Sequence, residues 1–245
     1  MTNFKQPIIL WTLLTFTVAC KKEAPEQYPV DGLYSHTLPT GGVAADSSTV
    51  VEMSVTLKEE DFANDRIVHF TTTSGRWLSP GASAAAPLEL VVAADEAGTA
   101  VVRWIPGRTP GPVSFTTWVS SAQYSSQSNI ITTEAYPDTL ALHTNAAVFD
   151  STDHIMTLSV HLYRSTGYHS TGLPLSFRAW HRVDGEDVPV GNFTTAPLLL
   201  TNRSNDYEAT LDLFSPGLSD PDTIYVQTLC GTKQSNVVQV VFLQP

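Results

Sequence analysis

Seven histidines, two cysteines and several close pairs of carboxylates are the side chains in this 245-residue chain with the chemistry to catalyse or to hold a metal. His161, His169 and His181 are the nearest trio. Imidazole is a common zinc ligand, but here one histidine falls in a strand pattern, one in the following loop and one in the next strand. A metal site would need those three positions to converge, so surface and strand-edge histidines are the simpler reading. Asp184-Gly-Glu-Asp187 and Asp220-Pro-Asp222 could offer carboxylate oxygens to calcium. Both also read as hairpin turns, whose geometry Asp and Gly satisfy. The chain has no G-x-S-x-G elbow, H-E-x-x-H pair, phosphate-binding glycine loop or C-x-x-C pair. A non-catalytic protein without metal or cofactor is therefore expected. Four side chains are candidate ligand contacts: Trp77 after Gly75, Tyr124 in SSAQYSSQ, and Tyr168 and His169 in STGYHSTG. Loop aromatics stack on sugar rings or anchor a protein partner. The alternative is that these amphipathic rings cover the ends of the fold. Trp104 and Trp118 lie within strand patterns and are expected in the core.

The N-terminus carries different chemistry. Ile8 to Ala19 is an apolar run behind a single cation, Lys5, and ends at Cys20 followed by Lys21-Lys22-Glu23. As a helix the run spans roughly 18 Å, short of the ~30 Å hydrocarbon core, which fits a signal-peptide core and not a membrane span. An ordinary secretory signal cleaved near Ala19 is one reading. The other rests on Thr17-Val18-Ala19-Cys20, which resembles the lipobox of bacterial lipoproteins, with Thr17 where Leu is usual. That resemblance implies cleavage before Cys20 and a thioether-linked diacylglycerol on its sulfur. Each buried CH₂ contributes about 0.8 kcal/mol, so two or three acyl chains hold a domain on a bilayer. The resemblance places the mature chain in the cell envelope as an outer-membrane lipoprotein. Lys21-Lys22-Glu23 resembles short signals for the surface-exposed face.

Removing residues 1–19 leaves 226 residues and a formal net charge of −12, since Lys5 is the one charge lost. Such an acidic surface argues against nucleic acid and against docking on anionic lipid. If Cys20 is lipidated, Cys230 has no partner for a disulfide. Its place in TIYVQTLCG suits a small buried hydrophobe.

The scaffold is all-β in pattern. Apolar residues alternate with polar ones in Val51/Met53/Val55/Leu57, Val113/Phe115/Thr117/Val119, Ile155–Leu162 and Tyr207/Ala209/Leu211/Leu213, with turn residues between the runs. The pattern also repeats at long range. MSVTL (53–57) returns as LSVHL (158–162), the strand ending at Phe70 returns at Phe177, and QSNII (127–131) returns as QSNVV (234–238). GTAVVRW (98–104) falls in step with DYEATLDL (206–213). Four matches in one order at a nearly constant offset predict two copies of one antiparallel β-sandwich. The expected organisation is a signal peptide at 1–19, a lipidated Cys and flexible tether at 20–40, and immunoglobulin-like sandwiches at 41–135 and 136–245. Pro137 makes the junction short, and a stalk of two stacked sandwiches follows.

RIVHFTTTSGRW (66–77) and DEAGTAVVRWIPGRTPGPVSFTTWV (95–119) resemble the bacterial Ig-like domains of the invasin/intimin type, and TGLPLSF (171–177) resembles the opening of extracellular Ig-like repeats. The resemblance covers roughly residues 40–245. It implies a stalk or adhesion module at the cell surface, held to the membrane by its N-terminal lipid and meeting a protein or glycan ligand. A carbohydrate-binding accessory lipoprotein using the loop aromatics is the alternative.

Overall fold

The computed structural model describes residues 26–27, 34–57, 66–78, 88–119, 124–194, 196–213, 218 and 221–243. Cys20 and the leader lie outside these residues, as does Asp220.

The N-terminal half forms β1 (Glu26–Gln27), β2 (Tyr34–Thr37), β3 (Val43–Ala44), β4 (Val51–Leu57) and β5 (Ile67–Thr72). It continues with β6 (Arg76–Leu78), β7 (Glu89–Ala93), β8 (Thr99–Ile105), β9 (Gly111–Val119) and β10 (Tyr124–Thr133). One sheet runs β2-β4-β8-β6 and the other β1-β10-β9-β5-β7, with β3 also on β10. The C-terminal half forms β11 (Thr139–Thr144), β12 (Val148–Asp150), β13 (Ile155–Tyr163), β14 (Pro174–Val183) and β15 (Glu186–Pro189). There follow β16 (Asn192–Phe193), β17 (Leu198–Leu199), β18 (Asp206–Asp212), β19 (Asp222–Cys230), β20 (Lys233–Gln234) and β21 (Val238–Leu243). Its sheets run β11-β13-β18-β16 and β12-β21-β19-β14-β15, with β17 on β14 and β20 on β19.

The two halves share one plan. β4 and β13 occupy the same place, as do β8 and β18, and each half closes with a parallel pair, β3 on β10 and β12 on β21. This is the immunoglobulin-like sandwich in tandem. Alternation builds each core. In β13, Met156, Leu158, Val160 and Leu162 are buried, while Ile155, Ser159, His161 and Tyr163 face out. One apolar cluster spans Val43 to Ile130, and a second spans Leu140 to Phe242.

β1 and β2 fall within the stretch read above as a tether. Yet Glu26 and Gln27 pair with Tyr124 and Ser125, and β2 pairs with β4 from Tyr34↔Leu57 to Thr37↔Ser54. The first sandwich therefore takes in chain before residue 41. The backbone pairing of these short segments was hidden because neither has an apolar repeat.

The first core turns on aromatics. Trp77 and Phe115 lie with centroids 5.8 Å apart, and Trp104 meets Phe115 edge-on at 5.1 Å and 89°. Both indole N–H groups are satisfied, Trp77 Nε1 by the Leu88 carbonyl (3.0 Å) and Trp104 Nε1 by that of Ser74 (2.9 Å). Gly75 permits this turn: its φ is +82°, and a Cβ there would stand 2.4 Å from the Ile105 carbonyl oxygen. Trp118, expected in the core, instead lies half-exposed on the outer sheet face, stacked on His69 at 4.9 Å. The residues buried in β9 are the odd-numbered ones, so the period of two turns Trp118 outward.

Candidate functional site

The four candidate ligand contacts do not gather on one exposed surface. Trp77 is fully buried, because it is the middle residue of β6, opposite Trp104 on β8, and its ring joins the core of the first sandwich. Tyr124 opens β10 and pairs with Glu26. His169 is 2% exposed, and Tyr168 is 37% exposed. The last two belong to a seam between the sandwiches.

The seam is built from loops that the strands hold in place. Asp46 to Ser48, between β3 and β4, and Arg108 and Thr109, between β8 and β9, meet the β13–β14 loop of the second sandwich. Tyr168 N–H donates to the Asp46 carbonyl (2.8 Å), Ser170 N–H to that of Ala135 (2.9 Å), and Thr171 N–H to that of Arg108 (2.8 Å). Arg108 Nε donates to the His169 carbonyl (2.9 Å), and its Nη2 reaches His169 Nδ1 (3.2 Å) and the Asn202 carbonyl. His169 Nδ1 therefore accepts, and its Nε2–H donates to the Ser204 carbonyl (3.0 Å). Tyr168 lies under two guanidiniums, Arg203 at 5.2 Å and Arg108 at 5.9 Å from its ring centre. Gly167 (φ +68°) lets the loop come close: a Cβ there would stand 2.2 Å from Ser48 Oγ.

Charge reinforces the joint. Asp46 Oδ1 accepts the N–H groups of Ser48 and Thr49, and its Oδ2 meets the Thr49 hydroxyl and Arg164 Nη2 at 3.5 Å. Burial opposes its ionisation, but these hydrogen bonds and the Arg164 charge outweigh that and hold the carboxyl below its usual pKa. The arginine in turn donates to the Tyr136 carbonyl in the linker (2.6 Å).

The remaining candidates separate. His161 pairs with Asp206 (2.7 Å) on the surface, and His181 pairs with Asp222 (2.7 Å) inside the second sandwich. With His169 in the seam, the trio has three different sets of partners. Among the described residues, no three His, Cys, Asp or Glu side chains lie together as metal ligands do. Asp184 (φ 52°) and Gly185 (φ 87°) form the two-residue turn of the β14–β15 hairpin. Cys230 is buried, and desolvation pushes its thiol up to about 11.

One exposed arrangement escaped the sequence reading. On the outer face of the second sandwich, Arg178 Cζ stands 4.8 Å over Trp180, and Trp180 stacks on Tyr225 at 5.7 Å and 18°. Arg182 Cζ covers Tyr225 at 5.3 Å. This is a ladder of cation, ring, ring and cation. Its signal was present as R-A-W-H-R (178–182), where a period of two puts Arg178, Trp180 and Arg182 on one side of β14. Tyr225 comes from the neighbouring strand, which local reading does not reveal.

No family profile and no curated protein sequence matches the chain. Solved structures do. The chain is similar to the Yersinia pseudotuberculosis adhesin InvE, with TM-score 0.56 and 16% identity over 86% of this chain and 60% of that one. It is also similar to invasin, described as a bacterial integrin-binding protein, with TM-score 0.55 and 16% identity over 86% of this chain and 39% of that one. The likeness shows the fold, immunoglobulin-like sandwiches in tandem. The chain spans about 60% of the first neighbour and 39% of the second, so the likeness is one of architecture.

Proposed function

We propose that this chain is a non-catalytic, lipid-anchored envelope protein, a stiff spacer of two Ig-like sandwiches that presents an interaction surface to a protein or glycan. The observation that carries the reading is the seam. Three backbone hydrogen bonds, the Arg108 fork and the Asp46–Arg164 pair join the sandwiches, where a hinge would leave a bare linker. The invasin-like architecture supports an adhesion or interaction role by analogy. The anchor rests on the Thr17–Cys20 sequence.

Two measurements test it. Cys20→Ala should move the protein from the membrane fraction to the soluble one, and unchanged fractionation would remove the anchor. Cross-linking in native envelopes should capture a specific partner, and capture of nothing above background would remove the interaction role. The carbohydrate-binding alternative gains support from the Arg178–Trp180–Tyr225–Arg182 ladder and not from the loop aromatics named earlier, because Trp77 and His169 are buried.

A further inference from the structure

β14 does not have a strand partner along the whole of its outer edge. β17 pairs with it at Pro174 and Leu175, and β15 pairs with it from Trp180 to Val183. Between them, Ser176 to Arg178 have no strand on that side among the described residues. The gap opens into a groove of about 380 Å³ lined by Phe177, Arg178, Trp180, Pro189, Gly191 and Phe193, among others.

The chemistry of this notch is specific. Its floor is aromatic: Phe177 and Phe193 are half-buried and stacked at 5.6 Å and 30°. Val190 N–H donates to the Ala179 carbonyl (3.0 Å), so the odd-numbered residues of this stretch turn their backbone groups to the notch. Phe177 therefore presents an N–H and a carbonyl there with no strand partner. Arg178 stands at the rim. Its Nε (3.0 Å) and Nη2 are held by Gln227 Oε1, a neutral partner, and no carboxylate pairs with it among the described residues. Asp187 lines the groove as well, and its carboxylate is paired with Arg182 (3.1 Å). Trp180 adds a shielded indole N–H that has no acceptor among the described residues.

These features select a ligand. An apolar ring face matches the phenylalanines, an anion matches an arginine fixed by a neutral amide, and hydroxyls match the Phe177 amide. β15 and β17 close the notch at both ends, so an extended peptide cannot run through it as an added strand. The volume falls at the small end of ligand sites, which span roughly 300–1,000 Å³. We infer that this notch binds a carboxylated pyranose, with the carboxylate on Arg178 and the sugar's C–H face on Phe177 and Phe193. The inference rests on the interaction reading above and names the chemistry of its ligand.

The test is saturation-transfer NMR on the intact protein with N-acetylneuraminic acid, glucuronic acid and glucose. One or both acids should bind, and glucose should bind at least about tenfold more weakly, because it lacks the group that Arg178 meets. Preference for the first acid points to a sialylated glycan, and preference for the second to a uronic-acid polysaccharide. Arg178→Gln should weaken acid binding by roughly tenfold with an unchanged melting temperature, while Arg178→Lys recovers part of it. Four results would overturn the inference: equal binding of glucose and the acids, full acid binding by Arg178→Gln, no signal from any probe at millimolar concentration, or displacement of the acids by an acetylated Asp-Phe peptide. If Arg178→Gln loses the sugars yet keeps its cross-linked envelope partner, the sugar site and the interaction reading are separate. If the sugars fail and the envelope partner persists, only the sugar assignment falls.

Discussion

Replacing Ser170 with alanine is the sharpest probe of the seam. Ser170 has no exposed surface, and its hydroxyl joins both halves of the molecule. It donates to the Ala45 carbonyl (2.8 Å) and accepts from the Ala135 N–H (2.9 Å). Alanine removes one oxygen and changes the packed volume little. What it leaves behind are two backbone groups in residues that are 0% and 2% exposed, without their partner. Each such loss costs about 1–3 kcal/mol, so Ser170→Ala should lose roughly 2–6 kcal/mol. The Ser170 N–H bond to the Ala135 carbonyl survives, which keeps the loop in place and the effect local. At about 2–4 °C per kcal/mol for a chain of this size, the melting temperature should fall by at least roughly 4 °C and by as much as roughly 24 °C. Scanning calorimetry of the intact protein reads this, and small-angle scattering should show a broader distribution of interdomain angles. Ser159→Ala, on the exposed face of β13, serves as the control and should stay within about 0.5 kcal/mol of the parent. A Ser170→Ala protein as stable as that control would refute the reasoning. It would mean that water or slack replaces the hydroxyl and that the joint is not dry.

Trp77→Ala should cost about 3–5 kcal/mol and unfold the first sandwich, since the ring is fully buried against Phe70 and Phe115; urea denaturation followed by fluorescence measures it. Cys230, with its thiol near pKa 11, should resist a disulfide reagent at pH 8 in folded Cys20→Ala protein and give one thiol per chain once unfolded. The depressed pKa of Asp46 means that its carboxylate stabilises the seam above the usual value of 3.8, and that this stability is lost as pH falls through the lower folded value. Asp46→Asn should therefore weaken the protein at neutral pH and flatten its stability profile in the acid range below about pH 4, as read by thermal melts across pH.

The strands were legible because each core strand carries its own signal. The alternation of Met156, Leu158, Val160 and Leu162 needs no knowledge of the neighbours, and the same is true of Val113, Phe115 and Val119. Pairings across the fold are not legible in a local pattern, which is why the sequence of β1 and β2 reads as a tether. Sequence likeness also misled in one place. QSNII lies mid-strand in β10, whereas QSNVV spans the break between β20 and β21. There Asn236 leaves the ladder and its side chain takes over the role of a strand partner: its Oδ1 accepts from Leu142 N–H (2.8 Å) and its Nδ2 donates to the Leu142 carbonyl (3.0 Å). The arginine–aromatic ladder failed for a related reason, since one of its four members, Tyr225, comes from β19. His169 reads as a loop residue and is one, whereas Trp77, read with the loop aromatics, is the middle residue of β6. What the sequence does not carry is the depth at which a loop packs.

The Asn236 clasp has a mechanical consequence for the second sandwich. It ties β11 of one sheet to the β20–β21 break of the other, and an isolated bridge from Leu140 to Ser235 adds to the tie. At the opposite margin the chain itself is the tie: Val190 and Gly191 carry it from β15 in one sheet to β16 in the other, and Val190 N–H donates to the Ala179 carbonyl (3.0 Å). The sandwich is thus stapled along both margins, closed more like a box than a book. Asn236→Ala would draw the one staple made by a side chain, leaving the Leu142 N–H and carbonyl to find other partners while the main-chain crossing beside Phe177 and Phe193 stays in place.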